Sequence, residues 1–411
     1  MTYKPPAQSH IFPLFPRLLG SYGGDTAGPL VISIGGMHGN EPAGVFALQH
    51  VLQRLQSSNL PFRGELVALA GNRAALARGC RYIKEDLNRL WLPERLQALR
   101  EREQTAETPE TPETPETSSE DKEQRKLLAA IETHLEHCQG PQRPIVFLDL
   151  HTTSAEGTPF VVIGDTLLNR RFAFRLHAPV ILGLEEQLNG TILNYLSDLG
   201  YIAIGFEGGQ HASSSAVENH TAAIWSVLAT AGCIRTQDLS VLGGRREQSA
   251  CETPNRPSVS PALEIRHHHI IQDGDDFVMQ PGYTNFQPVE RGQLLARDRH
   301  GQILAHESGQ VLMPLYQGQG TDGFFLVREV PPFWLRVAAW LRHLQLERLL
   351  PVLPGVRKHP DQAATLVVDP RVARWFVLEI FHLLGFRRKR PQAGKLIVSR
   401  RWHMPCVFEE W

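Results

Sequence analysis

Five cysteines in 411 residues leave at least one unpaired, and Cys80, Cys138, Cys233, Cys251 and Cys406 form no CxxC pair. That argues against a disulfide framework and against a cysteine zinc site, and it fits buried thiols in a reducing compartment. No stretch approaches the roughly 20 apolar residues that a membrane span needs. Pro5, Pro6, Pro13 and Pro16 interrupt the N-terminus, which therefore does not read as a signal peptide. The formal net charge is −1, so nothing overall draws the chain to nucleic acid or to a membrane surface. No phosphate loop and no GxSxG elbow occurs. The chain reads as a cytoplasmic globular protein, and its 42% hydrophobic and 21% charged residues are ordinary for a core and a surface.

Several short apolar runs read as buried strands: Leu30–Ile34, Glu65–Ala70, Ile145–Leu150, Phe160–Ile163 and Tyr201–Phe206. They lack clean alternation, as strands covered on both faces do. Helical stretches at Ala43–Leu55 and Glu120–His137 lie between them, which predicts an α/β domain with a doubly wound, mixed or mostly parallel sheet over residues 1–235. Glu107–Thr117 reads ETPETPETPET. Proline at every third place excludes a helix and the glutamates repel one another, so residues 105–119 are expected to be a disordered insert. Residues 236–261, rich in Gly, Ser, Pro and charge, read as a linker. In residues 262–330 short strands alternate with turns such as Asp273-Gly274, Pro281-Gly282 and Arg291-Gly292, the pattern of a smaller β-rich domain. Residues 331–411 read as a helical extension, from the spacing of Trp334, Val337, Leu341 and Leu344 and of Trp375, Leu378 and His382.

Four polar clusters follow these strands: Gly35-Gly36-Met37-His38-Gly39-Asn40-Glu41, then residues 81–89 (RYIKEDLNR), then Asp149-Leu150-His151-Thr152-Thr153, then Gly205-Phe206-Glu207-Gly208-Gly209. The carboxyl edge of an open α/β sheet is where ligands bind, so clusters far apart in sequence can converge there. His38 and Glu41 are three residues apart and can point the same way. An imidazole nitrogen and a carboxylate oxygen suit zinc, and His151 supplies a third ligand while leaving a place for water. Asp149 is placed to orient a ligand. Glu207 ends an apolar strand between glycines, where a buried carboxylate without a role is costly; it suits a general base. Arg81, Asn88 and Arg89 offer planar donors to a carboxylate or a developing oxyanion.

Each feature also has a plainer reading. An HxxE pair is common on solvated helix faces, Glu207 could cap a turn, and the arginines could pair with Glu85 and Asp86. In the run Arg266-His267-His268-His269, neighbours on a strand face opposite sides, so at most two histidines share a face. The basic stretch from Arg387 to Arg390, with Lys395, Arg400 and Arg401, reads as a charged surface.

Together the four clusters resemble the signatures of the succinylglutamate desuccinylase/aspartoacylase family, which is related to zinc carboxypeptidases. The resemblance runs from about Val31 to Gly209. It resumes in Val311-Leu312-Met313-Pro314 and in residues 319–325 (QGTDGFF), which are similar to the β-rich C-terminal part of the family. It implies one zinc ion per chain at His38, Glu41 and His151, Glu207 as base, Arg81 at the oxyanion, and Asn88 and Arg89 clamping a substrate carboxylate. It implies a small N-acyl amino acid-like substrate, with a peptide-trimming carboxypeptidase or a catalytically silent binding member as the alternatives. No nucleic-acid or membrane partner is expected, and homo-oligomerisation is left open. The chain departs from aspartoacylases in two places. Ser197–Phe206 holds no arginine, and Phe324 and Phe325 stand near a family tyrosine, for which Tyr283 and Tyr316 are the substitutes at hand.

Overall fold

The computed structural model describes residues 14–24, 28–58, 60–106, 118–136, 143–238, 260–359, 365–369, 384–392 and 395–400. The chain opens with β1 (Leu18–Gly23), β2 (Leu30–Gly35), α1 (Ala43–Ser57), β3 (Glu65–Ala70) and α2 (Arg73–Arg78). A short 3-10 turn at Leu87–Arg89, α3 (Pro93–Ala106) and α4 (Ser119–Glu136) lead to β4 (Ile145–Thr153) and β5 (Phe160–Ile163). There follow α5 (Leu167–Ala173), β6 (Val180–Leu182), α6 (Leu184–Gln187), α7 (Ile192–Asp198), β7 (Ile202–Gln210) and α8 (Ser215–Ala231). The later strands are β8 (Ala262–Ile270), β9 (Val278–Met279), β10 (Gln287–Val289), β11 (Leu294–Asp298), β12 (Gly301–Leu304), β13 (Gly309–Leu312) and β14 (Asp322–Val330).

The main sheet has eleven strands in the order β1-β3-β2-β4-β7-β5-β6-β8-β14-β13-β10. Its centre, β3-β2-β4-β7, is parallel. Strands β5, β14, β13 and β10 introduce antiparallel pairs. The sheet continues without a break into the C-terminal β region, because β8 pairs in parallel with β6. A separate three-stranded sheet, β12-β11-β9, packs a smaller core of Met279, Leu295, Val311, Phe324 and Leu326.

The central strands are apolar on both sides because both faces are covered. Val146, Leu148 and Leu150 of β4 enter one core, with α1 and α8. Phe147 enters the other, with Trp91, Leu127 and Ile192. Successive side chains alternate between faces, so Asp149, His151 and Thr153 continue the Phe147 face. On β7, Ile202, Ile204 and Phe206 take the α1–α8 side, which puts Glu207 on the Phe147 side. Both strands run further than their apolar runs alone predict. Residues 149–153 and 205–209 are ladder residues and not loops after the strands, because β-pairing persists beyond the point where hydrophobicity ends.

The segment after residue 330 differs from the helical reading. Its described residues hold a helix where Trp334, Val337 and Leu341 keep helical spacing, α9 (Pro332–His343), and a 3-10 stretch (Leu346–Val352), but then β15 (Val356–Lys358), β16 (Thr365–Val368), β17 (Phe386–Gln392) and β18 (Lys395–Arg400). These strands form an antiparallel sheet in the order β15-β16-β18-β17. The basic stretch 387–390 pairs with β18, and Val356, Leu366, Val368, Phe386 and Val398 make a small core. The helical spacing at Trp375, Leu378 and His382, the Glu-Thr-Pro repeat at 107–117 and linker residues 239–259 lie outside the described residues. Among the described residues, no helix is long and apolar enough to cross a membrane.

Candidate metal centre

The loop after β2 carries the first cluster. Gly36 turns there with φ 72°, a left-handed value that favours glycine. Gly39 presses against α2, where an added Cβ would meet the Ala75 carbonyl carbon at 2.0 Å. That approach and a bond from Gly39 N to the Arg81 carbonyl (3.1 Å) join the first cluster to the second. Glu41 lies at the entry to α1, 2% exposed.

Two imidazoles converge on this carboxylate. His38 Nδ1 is 2.9 Å from Glu41 Oε1, and His151 Nδ1 is 3.1 Å from Glu41 Oε2. The far nitrogens are also held: His38 Nε2 is 3.1 Å from Asp86 Oδ1 and His151 Nε2 is 2.8 Å from Asp149 Oδ2. Burial alone would raise the Glu41 pKa, but His38 and His151 hold it well below the ordinary carboxylate range. Burial likewise opposes charge on His151, yet Asp149 and Glu41 hold its pKa well above the ordinary imidazole value. An Nε2–H that donates to Asp86 or Asp149 leaves a lone pair on Nδ1. In that tautomer both Nδ1 atoms and the Glu41 carboxylate can turn to one shared cation in place of the hydrogen bonds between them. His38, Glu41 and His151 thus form a buried group that could hold a metal ion, with both imidazoles oriented by carboxylates behind them.

Glu207 lies beside this group. In the parallel register of β4 and β7, His151 is paired with Glu207. The carboxylate is buried and its Oε2 has no hydrogen-bond partner. Burial pushes its pKa up to about 8, with His151 pulling the other way and Glu41 and Asp149 adding to the rise.

The second cluster brings its arginines to the same edge. Arg81 donates from Nε and an Nη to Asp86 Oδ2 at 3.2 and 3.0 Å, and another Nη is 3.5 Å from Glu41 Oε1. Asn88 is buried. Its Oδ1 accepts from Ile192 N at 2.9 Å, and its Nδ2 lies 3.5 Å from His151 Nε2. Arg89 donates to the Asn88 carbonyl at 2.8 Å and to Asp322 Oδ2 at 2.6 Å. His38, Glu41, Arg81, Asn88, Arg89, Asp149, His151 and Glu207 therefore gather at one sheet edge.

Several neighbours gave no sequence signal. His220 of α8 donates from Nε2 to the His151 carbonyl at 2.8 Å, and burial lowers its pKa to about 4, so the ring is neutral. His211 is neutral for the same reason, burial lowering its pKa. It bridges Thr152 Oγ1 (2.7 Å) and Gln317 Oε1 (3.1 Å). The β13–β14 connection reaches over the site: Gln317 accepts from Asn40 Nδ2 at 2.8 Å, and Gln319 accepts from Arg81 N at 3.1 Å. Tyr316 binds the Tyr283 amide and the Gln280 carbonyl, and Tyr283 binds the Leu294 carbonyl. Both tyrosine hydroxyls thus serve the β region itself. Phe324 and Phe325 are buried in cores.

Known proteins share this arrangement of chain. Residues 27–228 match the family model of the succinylglutamate desuccinylase/aspartoacylase catalytic domain. A succinylglutamate desuccinylase of Burkholderia lata is 37% identical over 79 residues, 19% of this chain and 22% of that protein. One from Pseudomonas syringae pv. tomato is 36% identical over 67 residues, 16% of this chain and 20% of its own. The match thus spans about a fifth of the length of these curated relatives. Among solved structures, the succinylglutamate desuccinylase/aspartoacylase of Rhodobacter sphaeroides aligns with a TM-score of 0.52 at 16% identity, over 75% of this chain and 87% of that one. The succinylglutamate desuccinylase of Vibrio cholerae aligns with 0.51 at 18% identity, over 84% and 86%. At such identities the structural likeness is one of fold. The domain at residues 27–228 is therefore of the succinylglutamate desuccinylase/aspartoacylase type.

Proposed function

We propose that this protein is a zinc-dependent hydrolase that cleaves the amide bond of a small N-acylated compound. One zinc per chain is held by His38, Glu41 and His151, and Glu207 is the general base. The observation that carries this reading is the pair of imidazole Nδ1 atoms turned onto one buried carboxylate, with a second, unpartnered carboxylate on the adjoining strand. The donor set of two nitrogens and one oxygen suits zinc, which when bound supplies Lewis acidity and lowers the pKa of a water towards neutrality.

The chain's own groups divide the remaining work. Glu207 Oε2 takes the proton of the attacking water and returns it to the leaving amine nitrogen, a role suited to a carboxyl whose pKa is raised towards neutrality. Arg81, gripped by Asp86, offers its guanidinium to the carbonyl oxygen as that atom gains charge. Asp86 and Asp149 fix the tautomers of His38 and His151, and His220 anchors the β4 backbone at His151. Asn88 and Arg89 lie on the substrate side, with Gln317 and Gln319 closing over it.

Elemental analysis should find about one zinc per chain, the number one three-ligand site accommodates. His151→Ala should lose the metal. A screen of N-acyl amino acids, their amides and short peptides should find acyl release and not peptide trimming. Protein that neither retains zinc nor takes it up on reconstitution overturns the reading.

A further inference from the structure

Arg89 would be the natural receptor for a substrate carboxylate, but it already holds one from its own chain. One Nη donates to Asp322 Oδ2 at 2.6 Å and another to the Asn88 carbonyl at 2.8 Å. Asp322 Oδ1 in turn accepts from His268 Nε2 at 2.8 Å, and the His268 ring stacks on Phe325, centroids 4.3 Å apart. The pair is well shielded, with side-chain exposures of 24% for Arg89 and 18% for Asp322.

The placement of Asp322 depends on a backbone irregularity. In a regular strand Asp322 would share a face with Phe324 and Leu326, which enter the small β core. The β14–β8 register shifts between Asp322 and Phe324, a bulge that re-aims a side chain. Asp322 therefore faces the side of His268, Phe325 and Arg89. From there its charge reaches Arg81, and the charge of Arg89 reaches Asp86, so the pair borders the metal group.

We propose that Asp322 is a specificity-determining residue that occupies Arg89 in place of a substrate carboxylate, so that the amine half of the substrate bears an uncharged group next to the scissile amide. A carboxamide or another neutral hydrogen-bonding group can use the remaining N–H donors of Arg89. A carboxylate at that place would meet Asp322 as a like charge and find the guanidinium already neutralised. This inference rests on the hydrolase reading for its substrate, but its test does not.

The test uses zinc-loaded wild type, Asp322→Asn and, as a second substitution, Asp322→Ser. The ligands are matched pairs, the N-acetyl and N-succinyl derivatives of leucine and of leucinamide, which differ within each pair only in the charge of the amine half. Dissociation constants come from calorimetry, and KM and kcat from acyl release. Removing one nearby like charge should shift the acid-to-amide preference by at least about tenfold towards the acid. The shift should appear in Kd and KM while kcat changes little. In Asp322→Asn/Arg89→Gln most of the shift should vanish, because it acts through Arg89. Affinities that shift without any turnover would sink the hydrolase reading and support this one. An unchanged ratio in both Asp322 variants, or a wild type that already favours the acid, would overturn the inference.

Discussion

Metal-free protein exposes the character of Glu207 most directly. The carboxyl is 7% exposed, its Oε2 is unpartnered, and burial lifts its pKa from 4.5 to about 8. A group with a raised acid pKa binds its proton more tightly in the fold than in the unfolded chain. Its contribution to stability is therefore greatest below about pH 4.5 and is lost as pH climbs towards about 8. Each pH unit in that window removes about 1.4 kcal/mol, so on the order of 3 kcal/mol is missing near pH 7. Glutamine cannot ionise, so Glu207→Gln removes this slope. Without metal, the variant should be more stable than wild type by on the order of 2–3 kcal/mol near neutrality, and by very little near the unfolded pKa. Urea denaturation of both proteins at several pH values reads this difference. With zinc restored, the same variant should keep its metal and lose at least about 10²-fold in kcat, since glutamine cannot accept the proton of the water. A stability difference that stays flat with pH, or that favours wild type at neutrality, would refute the account of the buried carboxyl. Near-full turnover would refute its role as base.

Three further outcomes follow from particular contacts. Asp149→Ala removes the acceptor that orients His151 and should weaken metal binding by roughly 10–100-fold in a chelator competition, with the fold retained. Arg342 joins α9 to the catalytic domain through Asp165 at 2.9 Å, with side chains 2% and 1% exposed. Arg342→Ala removes one cation from that buried carboxylate, which Arg170 also binds, and should lower stability by about 3–5 kcal/mol in urea unfolding. Gly39→Ala would drive a methyl group into the Ala75 backbone, so it should cost at least about 1–3 kcal/mol and reduce metal content by displacing His38.

The central strands and the long helices α1 and α4 were legible in the sequence because their apolar runs are local and their ends are marked by glycines and polar residues. The grouping of His38, Glu41 and His151 was legible as well. His38 and Glu41 are neighbours in the chain, and His151 and Glu207 end two apolar runs whose parallel pairing brings them side by side. The reach of β4 and β7 through the site was not legible, since ladder pairing and not hydrophobicity carries those residues. Nor was the four-stranded sheet after α9, whose partners are set by long-range pairing.

Sequence by itself determined which residue types could bind a metal and which strands would carry them, because each strand fixes alternation over a few residues. Tertiary structure alone decided what those residues face. His211 and His220 come under β4 through the return of β7 and α8, and Gln317 and Gln319 reach the site from a connection more than two hundred residues away from Arg81. Asp322 meets Arg89 only because a bulge reverses its face. Contacts of that kind depend on the assembly of the eleven-stranded sheet, and no local pattern in the chain encodes them.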